Sequence, residues 1–218
     1  VNHDSFPAAA RTAGRRARVK LQRRADFIGA AAQVFGEKGY HDASIEEIAR
    51  VAESGAGTIY LYFKNKESLY VALLEEKMRE LTAFVKRRVG DGTATWDALR
   101  AAVAAQFEFY ELNRAFFESF VRERLEMKAR LKQADWERVN SAYEQFIRFL
   151  ADLIHAGQRR RIVRRGDSRQ LAVALCGMVN QLTRDWFKQQ PEDSLAERTA
   201  LVAGLFRDGA CLAPRRAA

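Results

Sequence analysis

Proline is nearly missing from this chain: Pro7, Pro191 and Pro214 are the only three in 218 residues. The span from Ala8 to Gln190 therefore holds no residue that breaks a helix by ring clash or by a missing N–H. Histidine and cysteine are as sparse. His3, His41 and His155 are scattered and Cys176 and Cys211 lie far apart, so no metal-ligand spacing occurs. The cysteines read as reduced, small apolar residues, and His41 as a solvated loop residue. There is no glycine-rich phosphate loop and no nucleophile elbow, so no catalytic residue, cofactor or metal is expected. No apolar run reaches the length of a membrane span. The first residues lack the apolar stretch of a secretory signal, which makes the cytoplasm the expected location, with no membrane partner.

What is present is helix-forming sequence and positive charge. Ala, Leu, Arg, Glu and Gln dominate, and no alternation bounded by hairpin turns competes with helix, so the fold class is all-α. Formal charge is +9, and seven basic residues stand between Asp4 and Asp26 with no acid among them. Such a run is either a solvated flexible arm, here residues 1–18, or a segment that lies against phosphates, with Arg16 and Arg18 as contacts.

Periodicity divides the rest. A first helix is expected from about Val19 to Lys38, with Phe27, Ala31, Val34 and Phe35 on one stripe and Gly39 at its C-terminal cap. "Ser44-Ile45-Glu46-Glu47" is a capping box, in which Ser44 and Glu47 satisfy each other's backbone donors. Ile45, Ile48, Ala49 and Ala52 then form one face of a second helix. A short third helix covers about Ala56 to Phe63, and Asn65 caps a fourth that runs to about Val89. Helices two and three have helix-turn-helix proportions, giving a DNA-binding head at 19–66 and a body at 67–218.

In "SGAGTIYLYF", Ile59 and Phe63 are one turn apart and pin the short helix to the head, which turns Tyr60 outward. Gly57 keeps no side chain between backbone and a ligand. Thr58, Tyr60 and Tyr62 offer hydroxyls to phosphates or base edges, although Tyr62 beside Phe63 also reads as core. Lys66, at the start of helix four, is expected to clamp a phosphate beside free N–H groups. Ser44 is first a cap and secondarily a phosphate contact.

The stretch Phe35 to Glu75 resembles the DNA-binding region of the TetR (tetracycline repressor-like) family of bacterial transcription regulators. The resemblance rests on Phe35, Gly39 and Tyr40; on Ser44, Ile45, Ile48 and Ala49; on Gly57, Thr58, Ile59, Tyr60, Tyr62 and Phe63; and on Lys66 and Leu69. It covers about a fifth of the chain and implies double-stranded DNA as partner, a homodimer and a small effector bound in the body. Glu53, Ser54, Gly55 and Ala56 depart from the family's usual glycine, apolar residue, serine and lysine. Glu53 implies a strained turn, and loss of a serine cap costs helix three about 1 kcal/mol. Ala56 retains only a methyl for a thymine. Base readout is then thin and DNA affinity falls steeply with salt. The alternative is an interaction protein whose degenerate helix-turn-helix no longer binds specific DNA.

In the body an aromatic cluster exceeds what one face can bury, which suggests a cavity. Its candidate lining is Phe107, Tyr110, Phe117 and Phe120, with Trp136, Tyr143 and Phe146 on the next long helix. The ligand implied is apolar, aromatic or acyl-chain-like. "GQRRRIVRRG" is either a solvated loop or a holder for an anionic head group, such as a coenzyme A phosphate, at the cavity mouth. The last two helices, about Ser168–Lys188 and Ser194–Ala213, carry Leu175, Met178, Leu182, Trp186, Val202, Leu205 and Phe206 as the candidate dimer face. Val173 and Leu201 lie off the main stripe, as a pair of helices shared with a twin requires.

Overall fold

The computed structural model describes residues 8–90, 96–189 and 192–210. Among them the chain forms α1 (Ala8–Asp42), α2 (Ile45–Val51), α3 (Ala56–Tyr60), α4 (Lys66–Val89), α5 (Trp96–Leu112), α6 (Arg114–Arg130), α7 (Gln133–Arg159), α8 (Ser168–Gln189), a 3₁₀ turn (Leu195–Arg198) and α9 (Thr199–Ala210). None of these helices is long and apolar enough to cross a membrane. The expected end of the last helix, at Ala213, lies outside the described residues.

The first boundary differs from expectation. α1 starts at Ala8 rather than near Val19, so the basic stretch from Arg15 to Lys20 is exposed helix and not a flexible arm. Alanines and arginines are strong helix formers, and propensity carries the helix N-terminally past the point where burial begins. Val19 and Leu21 are exposed, whereas Phe27, Ala31, Val34 and Phe35 are buried. Helical dihedrals fail at Gly39, where φ is 82° and ψ is 172°, as the expected C-terminal glycine requires.

α2 carries the capping box read from the sequence: Glu47 N–H donates to Ser44 Oγ at 3.1 Å and Ser44 N–H to Glu47 Oε2 at 3.2 Å. α3 is only five residues, but Phe63 N–H still bonds Ile59 O at 2.9 Å, continuing the turn. A second capping box, Asn65 with Ser68, starts α4.

α1 packs on α6, α4 lies between α5 and α7, and α8 covers α7. At Gly36 the α1–α6 approach is close, since a Cβ there would stand 3.2 Å from the Phe116 nitrogen. α4 and α7 run parallel: Arg138 bridges to Glu75 at 2.7 Å, and eleven residues further on in both helices Lys86 lies over the Phe149 ring at 5.3 Å. The head core is Phe27, Phe35, Ile48, Ile59, Phe63 and Leu69; in the body Phe107, Phe146, Ile147, Leu150 and Ile154 are fully enclosed. Each such side chain contributes about 1.5–3 kcal/mol of burial.

Candidate nucleic-acid interface and ligand cavity

The helix-turn-helix displays what its sequence pattern predicts. Ile59 and Phe63 are buried, while Tyr60 is 52% and Leu61 78% exposed. Gly57 is exposed, and a Cβ there would meet nothing within 4 Å, so the protein's own packing does not demand glycine at this place. The free space lies on the outer surface of α3, where a duplex backbone can approach. The turn before α3 places Glu53 at φ 48°, the left-handed region that disfavours a side chain. Ser54 N–H bonds Ala49 O at 2.8 Å and holds it there. Gly55 caps α3 without a side-chain bond, as expected.

The exposed basic turns of α1, from Arg15 to Lys20, come beside Tyr62, just after α3. Arg15, Arg16, Val19, Lys20 and Tyr62 line one surface groove. The Tyr62 ring meets Phe27 edge-on at 5.4 Å, as its reading as core expects, and Tyr62 shares the groove with the basic residues. Thr58 is half-buried and Ala56 packs partly on the core, while Arg18 is exposed.

Two expected phosphate contacts are otherwise engaged. Lys66 Nζ donates to Tyr40 O at 2.8 Å, His41 O at 3.2 Å and Ala43 O at 2.9 Å, and stands 4.5 Å from the centre of the Tyr40 ring. An ammonium has three donors, and all are in use. Lys66 is therefore a tether on the chain leaving α1, not a phosphate clamp. The Ser44 hydroxyl is likewise committed to Glu47, whose carboxyl is held below the usual range by Lys38 and by the Ser44 N–H. Burial, with the Glu67 carboxylate nearby, pushes the Tyr40 phenol well above the ordinary tyrosine range.

The same α1–α2 junction is gripped from the body. Tyr40 N–H donates to Glu123 Oε2 of α6 at 2.8 Å, and a Cβ at Gly39 would collide with Glu123 Oε1. The glycine read as a helix cap is thus also the space in which a carboxylate of another domain sits.

A cavity of about 330 Å³ lies between α4, α5, α6, α7 and α8. Tyr110, Phe117, Phe120, Trp136 and Tyr143 line it as expected. Phe107 and Phe146 do not; both are fully buried in the close-packed core. The sequence reading missed two walls. α4 contributes Leu74, Lys77 and Met78, and α8 contributes Gly177, Asn180, Thr183, Arg184 and Phe187. A signal for the second wall was present, because Asn180, Thr183 and Arg184 interrupt an apolar helix at i, i+3 and i+4, one face. The arginine cluster is not at this cavity. Arg159 is sixteen residues beyond Tyr143 on α7, about 24 Å along the axis. Arg159, at the end of α7, and Arg160, Arg161, Arg164 and Arg165 after it are exposed, and Gln158 holds the following loop through Arg164 O and Gly166 O, both at 3.0 Å.

The family profile described as bacterial regulatory proteins, tetR family, matches residues 27–73, and that of the tetracyclin repressor-like C-terminal domain matches residues 92–210. The chain belongs to the tetR family of bacterial regulators. It is a DNA-binding transcriptional regulator. It is similar to the fatty acid metabolism regulator protein of Bacillus subtilis, at 24% identity over 84% of this chain and 93% of that one. The transcriptional activator FasR of Mycolicibacterium smegmatis is 37% identical over 41% of each chain. Two solved structures share the fold: the fatty acid degradation regulator FadR of Bacillus halodurans (TM-score 0.74, 24% identity, 86% of this chain and 95% of that one) and FadR of Bacillus subtilis in complex with stearoyl-CoA (TM-score 0.72, 22% identity, 84% and 97%).

In this TetR-family chain the expected dimer face requires correction. Leu175, Trp186, Val202 and Phe206 are buried within the subunit, and Trp186 Nε1 donates to Asp193 O at 3.0 Å with Arg114 over its ring. Met178 and Leu182 are half-buried. The apolar side chains that α8 and α9 leave outside are Val173, Leu201 and Leu205, the last 59% exposed.

Proposed function

We propose that this regulator is a cytoplasmic homodimeric repressor that binds a near-palindromic operator and leaves it when an acyl-chain amphiphile enters the body cavity. The observation that carries the mechanism is the double grip on the α1–α2 junction. α6 lines the cavity with Phe116, Phe117 and Phe120 and, one turn later, holds the Tyr40 N–H through Glu123. α4 lines it with Leu74 and Met78 and, about 12 Å back along its axis, holds three carbonyls of the same junction through Lys66. A ligand that separates α4 from α6 therefore acts on both handles of the head.

Val173, Leu201 and Leu205 support the dimer, since a subunit that closes a four-helix bundle with its twin leaves such a face on its last two helices. Two heads then meet half-sites about 34–36 Å apart. Ligand lowers DNA affinity by its differential affinity for the head spacing that does not fit. The acyl class is supported by the aromatic lining and by the likeness to regulators of fatty acid metabolism.

Selection of bound sequences from random DNA, repeated with acyl-CoA of increasing chain length, tests this reading. Enrichment of a palindrome that acyl-CoA depletes is the expected result. Failure to enrich any palindrome points instead to a degenerate head on an interaction protein.

A further inference from the structure

The cavity has two unlike walls. α6 gives it Phe116, Phe117, Phe120 and Val121, while α8 gives it Asn180, Thr183 and Arg184. On α8, Thr183 Oγ1 and Arg184 Nε are buried with no hydrogen-bond partner among the described residues. Thr183 is 4% exposed. A threonine inside a helix commonly returns its hydroxyl to the carbonyl one turn back, and Thr183 does not. The Arg184 guanidinium bonds one neutral acceptor, Gln181 Oε1 at 2.6 Å. Lys77, the other cation of the cavity, is by contrast satisfied by Glu80 at 2.8 Å and Asn113 at 2.9 Å. Asn180 is engaged too, accepting from the Tyr110 hydroxyl at 3.1 Å.

A buried donor without an acceptor costs more than an ordinary hydrogen bond returns. Two of them side by side in a cavity wall, facing four apolar side chains, describe a site with a polar end and an oily end. Arginine has donors only, so the polar end selects acceptor oxygens and disfavours amines. We propose that Thr183 and Arg184 form the head-group subsite of this cavity and bind an acyl oxygen, a carboxylate or a thioester carbonyl, while the chain lies on the α6 aromatics. The proposal rests on the acyl reading above and adds to it where the head group sits. A cavity of about 330 Å³ holds about eleven groups of water size, at about 30 Å³ each, which selects a ten-carbon probe.

Calorimetric titration of the full-length protein with decanoate and with decanoyl-CoA tests it, on wild type, Arg184→Met and Thr183→Val. Arg184→Met is expected to weaken binding at least tenfold for whichever probe places its oxygen at this subsite. Loss confined to decanoate identifies the free carboxylate; loss confined to decanoyl-CoA identifies the thioester. Thr183→Val is nearly isosteric and removes a buried unpaired hydroxyl. It is expected to raise Tm while weakening the same probe about fivefold, a pair of changes that a purely structural threonine does not produce. This second variant carries the test if Arg184→Met fails to fold. Unchanged affinity for both probes in the folded variants overturns the subsite and leaves the acyl reading standing. Absence of binding of either probe to wild type overturns the acyl reading and the subsite together.

Discussion

Head and body are built from the same materials, aromatic residues and cations on helices, yet the polar groups at the helix ends of the head and those in the α8 wall of the cavity are treated in opposite ways. In the head four such groups find partners: Ser44 and Asn65 cap the first turns of their own helices, α2 and α4, while Lys66 and Glu123 of the adjoining α6 tie the α1–α2 junction to α4 and α6. In the body cavity, Thr183 Oγ1 and Arg184 Nε have none among the described residues. A satisfied buried polar group fixes geometry, whereas an unsatisfied one costs stability until something binds it. The head is therefore a rigid reader whose orientation is set at one junction, and the cavity wall is where stability has been exchanged for recognition.

The firmest way to break that contrast is at the junction itself. Gly39 occupies φ 82°, ψ 172°, a region essentially closed to side chains. Gly39→Ala also pushes Glu123 off the Tyr40 N–H. The expected cost is about 3 kcal/mol, summed from backbone strain and the lost bond, read as the shift in a urea midpoint at constant m-value. A cost below about 0.5 kcal/mol, the scatter of an ordinary surface change, means that the junction is not rigid.

A smaller effect separates two residues that look alike in sequence. Lys66→Met removes three bonds from a charged donor and is expected to cost about 2 kcal/mol of stability, with DNA affinity falling only as the head loosens. Tyr60→Ala removes an exposed ring and is expected to leave the urea midpoint alone while weakening operator binding about tenfold, or about 1.4 kcal/mol. Reversed results, with stability following Tyr60 and affinity alone following Lys66, exchange their roles.

That pair also shows where the sequence was legible. The capping box at Ser44, the inward Ile59 and Phe63 and the outward Tyr60 follow from contacts within a single turn, and local periodicity reports them. The Lys66 bonds reach back 23 to 26 residues, and nothing near Lys66 in sequence announces them. The cavity behaved similarly. Aromatic density located Tyr110, Phe117 and Phe120, but could not tell a lining ring from the enclosed Phe107 or Phe146, because both kinds keep helical spacing. Leu175, Trp186, Val202 and Phe206 misled for a related reason: periodicity marks an apolar face without saying whether it meets its own chain or a twin. The start of α1 at Ala8 was missed because burial, not propensity, was used to place it.

The smallest expected effect concerns the turn between α2 and α3, the one place where the head carries strain. Glu53 sits at φ 48° with its side chain exposed, so no packing accompanies the unfavourable backbone. Relief of a left-handed conformation is worth about 1–2 kcal/mol, but glycine loses about 0.4–1 kcal/mol more entropy on folding. Glu53→Gly is then expected to stabilise the protein by about 0.8 kcal/mol, the difference between the centres of those ranges, measurable as a small rise in the urea midpoint. Operator affinity is expected to hold, because the Ser54 N–H to Ala49 O bond and the buried Ile59 fix the angle of α3 independently of residue 53. A gain in stability accompanied by a loss of affinity instead places the strain within the reading surface, and the head then resembles the cavity more closely than the present contrast allows.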